Sequence, residues 1–325
     1  MEQKQIASLE NKIKRESGNI AGIIVLKEDN VVYENYFNQC SENDPIHIFS
    51  VTKSIVSMLF GIALGKGCIK NLDEKVIEFF PNYQIKKREK TIQHITIRNL
   101  LTMTAPYKYR FTPYQKYFSS EDWVISSLDF LGGRGKIGDF RYAPIIGIDI
   151  LSGILINTTG KSVLEFAQDN LFYPLGISVD KNIYFRNKEE QLDFYKSKGA
   201  NGWLADLNGT NTAGWGLSLT TMDMAKLGQL YLNEGYWNGR QIISDKWIVE
   251  STQVQSVWKA RHLKYGYLWW VIDEGEHSYA ALGDGGNAIY VNPKNKIVVV
   301  VSSLFVPRVK DRIDFIKREI EPLFL

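Results

Sequence analysis

The sequence has few cysteine and histidine side chains, which are the usual ligands of zinc and other transition metals. Its 325 residues include only two cysteines, Cys40 and Cys68. Two thiols permit one disulfide, but they form no metal or redox motif. The four histidines are His47, His94, His262 and His277. Because they fall in no metal-ligand spacing, we expect no metal site and no cofactor.

The sequence also lacks long apolar runs and a strong charge of either sign. No run of about 18 uncharged apolar residues is present, so we expect no membrane span. The first residues lack the charged-then-apolar pattern of a signal peptide, which favours a cytoplasmic protein. An export segment outside this sequence would change that expectation. The net charge of +3 is too small to indicate a nucleic-acid partner, which leaves small molecules; the oligomeric state stays open.

The sequence does contain one stretch, residues 47–64, that turns almost wholly apolar and ends at Gly65 and Gly67. A segment that is hydrophobic on nearly every side is typical of a buried helix. Ser50 and Lys53 stand at the front end of this helix. Because residues three apart lie on neighbouring helix faces, the Lys53 amine can reach the Ser50 hydroxyl.

A serine and a lysine in this position can act as a nucleophile and its base. A serine hydroxyl is a weak nucleophile until a neighbouring base takes its proton. Burial beside the positive end of a helix lowers the pKa of a lysine toward neutrality, and the free N–H groups there can stabilise an oxyanion. The alternative is structural: Ser50 caps the helix and Lys53 extends its amine to solvent.

Ser-x-x-Lys alone has low specificity as a motif. It occurs three times in this chain, at Ser50/Lys53, Ser178/Lys181 and Ser256/Lys259. Only the first pair opens a long apolar helix, since the second lies in a polar turn and the third in a mixed segment. The local pattern favours Ser50 but leaves both the catalytic and the capping interpretation open.

Apolar periodicity predicts strands at both ends of the chain and helices between them. The expected strands are 20–26, 31–37, 265–272, 278–282, 288–291 and 296–304. The expected helices are 4–17, 50–64, 97–104, 145–157, 162–172, one that follows Thr220, and 308–320. This order predicts an α/β fold of the α+β type, with one antiparallel sheet built from both chain ends and flanked by helices.

We expect a single domain with two lobes. The α/β lobe takes residues 1–49 and about 206–325, and a mostly helical lobe takes about 50–205. In the helical part, residues 105–118 form an aromatic-rich loop that includes Tyr107 and Tyr109. Such a loop lines a substrate pocket or only packs against its surroundings, and both interpretations remain.

The order of motifs resembles that of the serine β-lactamase and penicillin-binding-protein superfamily, in particular its class C-like esterase and amidase branch. The resemblance runs across essentially the whole chain. Residues 50–53 are similar to the Ser-x-x-Lys motif at the start of the central helix, and residues 140–143 resemble the second, tyrosine-containing motif. Further similar segments are 97–104, 158–162, 216–220, 265–270 and 283–286.

The resemblance implies a cofactor-independent serine hydrolase that forms an acyl-enzyme with a small ester or amide. Ser50 would be acylated, Lys53 would share or remove its proton, and Tyr142 would pass protons to the leaving group. The backbone N–H groups of Ser50 and Asp284 would form the oxyanion hole. The expected substrate-binding residues are Gly283, Asp284, Gly285, Tyr107 and Tyr109.

Two departures from the family pattern bear on the substrate. Tyr-x-Asn reads Tyr-Ala-Pro at 142–144, and Lys/His-Thr/Ser-Gly reads Ala-Leu-Gly at 281–283. The amide that would bind an acylamino group and the cation that would bind a carboxylate are therefore missing. We expect weak activity on β-lactams and, because Asp284 is the nearest charge, a preference for neutral or amine-bearing substrates. The alternatives are a penicillin-recognising D,D-peptidase or β-lactamase, and a catalytically idle binding protein of the same fold.

Overall fold

A computed structural model describes residues 3–325; residues 1 and 2 of the predicted α/β lobe lie outside it. Its eleven α-helices within these residues are α1 (Gln3–Glu16), α2 (Val51–Gly65), α3 (Ile97–Leu101), α4 (Tyr114–Phe118), α5 (Trp123–Phe130), α6 (Ile150–Thr159), α7 (Val163–Ala167), α8 (Lys188–Lys196), α9 (Thr221–Leu232), α10 (Asp245–Thr252) and α11 (Arg312–Phe315). The fourteen strands of the same residues are β1 (Ile20–Lys27), β2 (Asn30–Tyr36), β3 (Ile46–His47), β4 (Asn182–Ile183), β5 (Trp203–Leu204), β6 (Ser218–Leu219), β7 (Tyr236–Trp237), β8 (Arg240–Gln241), β9 (Ser256–Trp258), β10 (Leu263–Tyr265), β11 (Trp270–Asp273), β12 (Ser278–Gly283), β13 (Asn287–Asn292) and β14 (Ile297–Ser303). None of the helices within 3–325 has the length and apolar character needed to cross a membrane.

One eight-stranded sheet forms the centre of the architecture, in the order β2-β1-β14-β13-β12-β11-β10-β9. Every pair of neighbouring strands in it is antiparallel. The N-terminal strand β1 pairs with the C-terminal strand β14, with Ile24 opposite Val300. The predicted fold, a sheet built from both chain ends with helices beside it, is confirmed.

Helices cover both faces of this sheet. Successive side chains of a strand point to opposite faces, and residues 298–301 of β14 are four valines with no exposed surface. Val298 and Val300 pack in a core that includes residues of α2 and α9. Val299 and Val301 pack with residues of α1 and of the C-terminal helical segment. An all-apolar strand is therefore explained by burial on both sides.

Helix α2 is the buried helix that the sequence predicts. Residues 51–63 are all buried. At Gly61 a Cβ atom would lie 2.4 Å from the ring of Trp247, so only glycine lets α10 pack this closely against α2. Tight packing along its length holds the N-terminal end of α2 in one place, and Ser50 directly precedes that end.

The prediction of one continuous strand over residues 265–272 is wrong, because the chain forms two strands there, β10 and β11, joined by a turn. The aromatic run in this segment has a high strand propensity, which explains the prediction. In the structure, the Leu268 carbonyl accepts a hydrogen bond from the Ser54 hydroxyl at 2.6 Å. The Leu268 N–H donates to the Leu101 carbonyl at 2.9 Å. Contacts with α2 and α3 therefore decide the turn.

Two predicted helices begin later than expected. The helix expected from residue 145 begins at Ile150, because Gly147 has a left-handed φ of 101°. The helix expected from residue 308 begins at Arg312, where the Asp311 carboxylate accepts hydrogen bonds from the first free N–H groups. Helices α4, α8 and α10 were not predicted, and α4 lies in the segment 105–118 that was expected to be a loop.

Candidate active site

The chain enters α2 through a strained turn. Strand β3 ends at His47, and Phe49 has a left-handed φ of 50°, which is uncommon for a bulky residue. The Phe49 ring is held between His47, at 3.9 Å between ring centroids, and Phe305, at 5.1 Å. Strain of this kind persists only where packing enforces it, and it is frequent at functional sites. Here it sets the position of Ser50.

Ser50 and Lys53 are in direct contact. The Lys53 Nζ lies 2.9 Å from the Ser50 Oγ and 2.7 Å from each of the carbonyl oxygens of Pro144 and Gly214. The Ser50 hydroxyl makes no capping hydrogen bond to α2. Lys53 is only 1% exposed. The capping alternative, with a lysine that extends to solvent, is therefore wrong.

The surroundings of Lys53 favour its neutral form. Burial lowers the pKa of Lys53 to about 7, against the smaller opposing effects of Asp284 and Asp149. A neutral amine keeps two N–H donors, which match the two carbonyl oxygens, and one lone pair, which can accept from the Ser50 hydroxyl. The geometry thus suits a lysine that takes a proton from serine.

Tyr142 stands beside this pair. Its ring is nearly parallel to that of Trp258, at 6.3 Å and 6°, and lies 5.8 Å from that of Trp270. Lys53 Nζ is 5.3 Å from the Tyr142 ring centroid. Burial raises the pKa of Tyr142 to about 12, and a hydrogen bond with Ser50 acts in the opposite direction. Tyr142 is therefore a neutral phenol that can donate a proton, and Lys53 is the better base.

The end of β12 packs against the start of α2. A Cβ atom at Gly283 would lie 2.2 Å from the Ile48 carbonyl oxygen and 3.3 Å from the Ser50 nitrogen. Among the turn, loop and cap contacts of residues 3–325, the N–H groups of Ser50 and Asp284 donate no hydrogen bond. Two free N–H groups beside the serine hydroxyl have the composition of an oxyanion hole.

A cavity of about 670 Å³ opens over the serine. Four of the predicted site residues line it: Ser50, Tyr142, Gly283 and Asp284. Lys53 lies buried beneath them. Gly285 does not line the cavity; it is buried, and its left-handed φ of 76° serves the turn after β12.

Tyr107 and Tyr109 lie outside this cavity and line a separate groove. The Arg141 guanidinium donates hydrogen bonds to the carbonyl oxygens of both tyrosines, at 2.6 Å in the case of Tyr107. The Tyr109 hydroxyl donates to the Ile146 carbonyl at 3.0 Å. The geometry matches the packing interpretation of the aromatic loop, because these contacts fasten the loop to the segments on either side of Tyr142.

Sequence reasoning missed several residues of the site. Trp258 and Arg261 line the cavity but belong to no motif, and Trp270 was noted only within a family-like segment. Asp149 is 1% exposed; it accepts a hydrogen bond from the Ala213 N–H at 2.7 Å and a second from the Tyr117 hydroxyl. Burial raises the pKa of Asp149 to about 7. Nothing in the apolar sequence around Asp149 predicts that its charge acts on Lys53.

The other two Ser-x-x-Lys copies have structural contacts. The Ser256 hydroxyl donates to the Thr102 carbonyl at 2.7 Å, and the Ser178 hydroxyl donates to the Asp180 carboxylate at 2.9 Å. Neither is hydrogen-bonded to the lysine three residues later in the described chain. Within residues 3–325, no group of three or more His, Cys, Asp or Glu side chains is arranged to hold a metal ion.

Comparisons with known proteins cover nearly the whole chain. The Beta-lactamase family profile matches residues 9–318. An uncharacterized protein of Alkalihalophilus pseudofirmus is 26% identical over 303 residues, which are 86% of this chain and 82% of that protein. The 6-aminohexanoate-dimer hydrolase of Paenarthrobacter ureafaciens is 21% identical over 85% of this chain and 70% of its own length. The crystal structure of a family VIII carboxylesterase has a TM-score of 0.70 at 14% identity, with 93% of this chain and 91% of that chain covered.

Proposed function

The chain belongs to the Beta-lactamase family and is a serine hydrolase of that family, and from this premise we propose that it cleaves small esters or amides through an acyl-enzyme on Ser50. The observation that carries the proposal is the 2.9 Å contact between Lys53 Nζ and Ser50 Oγ at the buried start of α2. The similar proteins include a named hydrolase of 6-aminohexanoate dimers and a carboxylesterase, which supports this substrate class.

In the acylation step, Ser50 Oγ attacks the substrate carbonyl carbon while the neutral Lys53 amine accepts the hydroxyl proton. The carbonyl oxygen becomes an oxyanion, and the N–H groups of Ser50 and Asp284 stabilise it. The tetrahedral intermediate then collapses, and the bond to the leaving group breaks as the Tyr142 hydroxyl protonates that group. Tyr142 recovers its proton from Lys53, so the site returns to its starting protonation state.

In hydrolysis of the acyl-enzyme, water takes the place of the attacking serine hydroxyl. Lys53 takes a proton from the attacking water, the tetrahedral intermediate collapses, and Lys53 returns that proton to the Ser50 oxygen as the acid is released. The contacts among Ser50, Lys53 and Tyr142 support catalysis over an idle binding protein of the same fold. The missing cation at Ala281 and the missing amide at Pro144 support weak activity on β-lactams.

Covalent labelling tests the proposal most directly. The purified chain is treated with a neutral fluorophosphonate, with a set of activated esters and with a penicillin, and its intact mass is measured. We expect one phosphonyl group per chain on Ser50, burst-phase acylation by the esters, and little adduct with the penicillin. Ser50→Ala is expected to abolish labelling and ester hydrolysis, whereas the matched variant Ser256→Ala keeps both. Labelling that persists in Ser50→Ala would contradict the assignment.

A further inference from the structure

The cavity over Ser50 is lined by a cation that forms no salt bridge with a carboxylate of the described residues. Its lining includes Arg261, Lys264, Asp284 and Asp311, together with His262. Lys264 forms an ion pair with Glu274. Arg261 makes no salt bridge within residues 3–325, although its side chain is exposed to the cavity. A charge that lines a catalytic cavity without a partner is available to a ligand.

Packing holds this arginine in a defined place. The Arg261 guanidinium carbon lies 4.5 Å from the Trp258 ring centroid, a cation–π contact. The Trp258 ring is in turn nearly parallel to that of Tyr142, at 6.3 Å. An arginine stacked on an aromatic face keeps its N–H edge free for a carboxylate, and its planar fork binds both carboxylate oxygens.

The order of this stack indicates which part of the substrate reaches Arg261. Tyr142 faces the leaving group in the proposed reaction, the Trp258 ring stacks on Tyr142 at 6.3 Å, and Arg261 stacks on Trp258 at 4.5 Å. The leaving-group portion therefore extends along Tyr142 and Trp258 toward the guanidinium. Nearer the reacting carbonyl, the exposed Asp284 carboxylate lines the cavity and has no ion pair within the described residues.

We propose that Arg261 binds a carboxylate at the far end of the substrate's leaving group and so selects esters or amides of carboxylate-bearing alcohols or amines. This inference rests on the proposed function. Ala281 and Asp284 alone predict a preference for neutral or amine-bearing substrates, and Arg261 changes that preference. A substrate anion next to the reacting carbonyl is repelled by Asp284, whereas an anion one aromatic ring farther away is bound by Arg261. Arg261 lies in a different part of the chain from Ala281, so this carboxylate site is separate from the third-motif position.

Matched substrates test this assignment. Two esters share one acyl group, and their leaving alcohols end in a carboxylate or in the isosteric primary amide. The readout is the ratio of kcat/KM for the anionic ester to that for the neutral ester. We expect the ratio to exceed one in the parent enzyme and to fall about tenfold or more in Arg261→Gln, mainly through KM, since charged hydrogen bonds contribute on this scale. Arg261→Lys should restore part of the ratio.

Lys264→Gln is the matched control, because Lys264 lines the same cavity but is already paired with Glu274. It should leave the ratio at the parent value. An unchanged ratio in Arg261→Gln, or an equal fall in Lys264→Gln, would overturn the role of Arg261. These results differ from failure of the proposed function, in which Ser50 takes up no neutral fluorophosphonate and neither ester is hydrolysed.

Discussion

Lys53 and Asp149 form hydrogen bonds with two successive residues of one peptide segment. The Asp149 carboxylate accepts a hydrogen bond from the Ala213 N–H at 2.7 Å, and Lys53 Nζ donates to the carbonyl of the next residue, Gly214, at 2.7 Å. Each of the two side chains is 1% exposed. Burial lowers the pKa of Lys53 to about 7 and raises the pKa of Asp149 to about 7. The protonation of one group therefore influences the other near neutral pH.

The first prediction concerns the pH dependence of ester hydrolysis. Below its pKa, Lys53 is an ammonium group and cannot accept the Ser50 proton. We therefore expect kcat/KM for an uncharged ester to fall as the pH drops through about 7, the pKa of Lys53 in the folded chain. Rates measured from pH 5 to pH 9 would check this, with circular dichroism to verify folding at each pH. A flat profile over this range would remove Lys53 from the role of base.

The second prediction concerns Asp149→Asn. The Asp149 charge raises the pKa of Lys53, so its removal should lower that pKa further. We expect the acidic limb of the kcat/KM profile to move to lower pH, while the asparagine oxygen still accepts from the Ala213 N–H. Asp206→Asn is the control, because the Asp206 charge acts on Lys53 only through Asp149, whose pKa it raises; its removal favours the charged form of Asp149 and should not move the limb to lower pH. A limb that moves down equally in both variants would mean that the effect is not specific to Asp149.

The third prediction concerns Tyr142→Phe. Phenylalanine keeps the ring contacts with Trp258 and Trp270 but loses the hydroxyl beside Ser50. We expect an almost unchanged melting temperature and a kcat lowered by roughly 10²–10⁴-fold, the usual contribution of a general acid. Steady-state kinetics and thermal unfolding on the same preparation measure both quantities. If kcat stays at the parent value, Tyr142 has only a structural role.

The fourth prediction concerns Gly283→Ala. The new Cβ atom would meet the Ile48 carbonyl at 2.2 Å, so the end of β12 must move away from Ser50. Separation of the Ser50 and Asp284 N–H groups should lower kcat by about 10²–10³-fold, as loss of an oxyanion-hole donor does.

Gly65→Ala is the matched control for this glycine change. At Gly65 a Cβ atom has no neighbour within 4 Å, and alanine in a helix is favoured by about 0.5–1 kcal/mol. We expect a slightly higher melting temperature with kcat unchanged. An active Gly283→Ala enzyme with parent kcat would rule out the oxyanion hole at this strand end.

Patterns of neighbouring residues were sufficient to predict the sheet and the pair of Ser50 and Lys53. Strand and helix periodicity is local, so β14 could be recognised from its four valines and α2 from its apolar run. The contact between Ser50 and Lys53 follows from a spacing of three residues on one helix. Tyr142 was found only through the family resemblance, because one tyrosine among 17 has no local signal.

Contacts between distant parts of the chain decided the rest. The chain turns at Leu268 and does not continue as one strand, because Ser54 and Leu101 form hydrogen bonds with the Leu268 backbone. Asp149 and Lys53 are linked by hydrogen bonds to Ala213 and Gly214, which lie more than sixty residues after Asp149 in the chain. Arg261 lines the cavity because its guanidinium stacks on Trp258. Burial, which shifts the pKa of Lys53 and of Tyr142, exists only after these segments pack together. For this reason the contact between Ser50 and Lys53 could be predicted from spacing, whereas the electrostatics of the cavity could be described only from the folded chain.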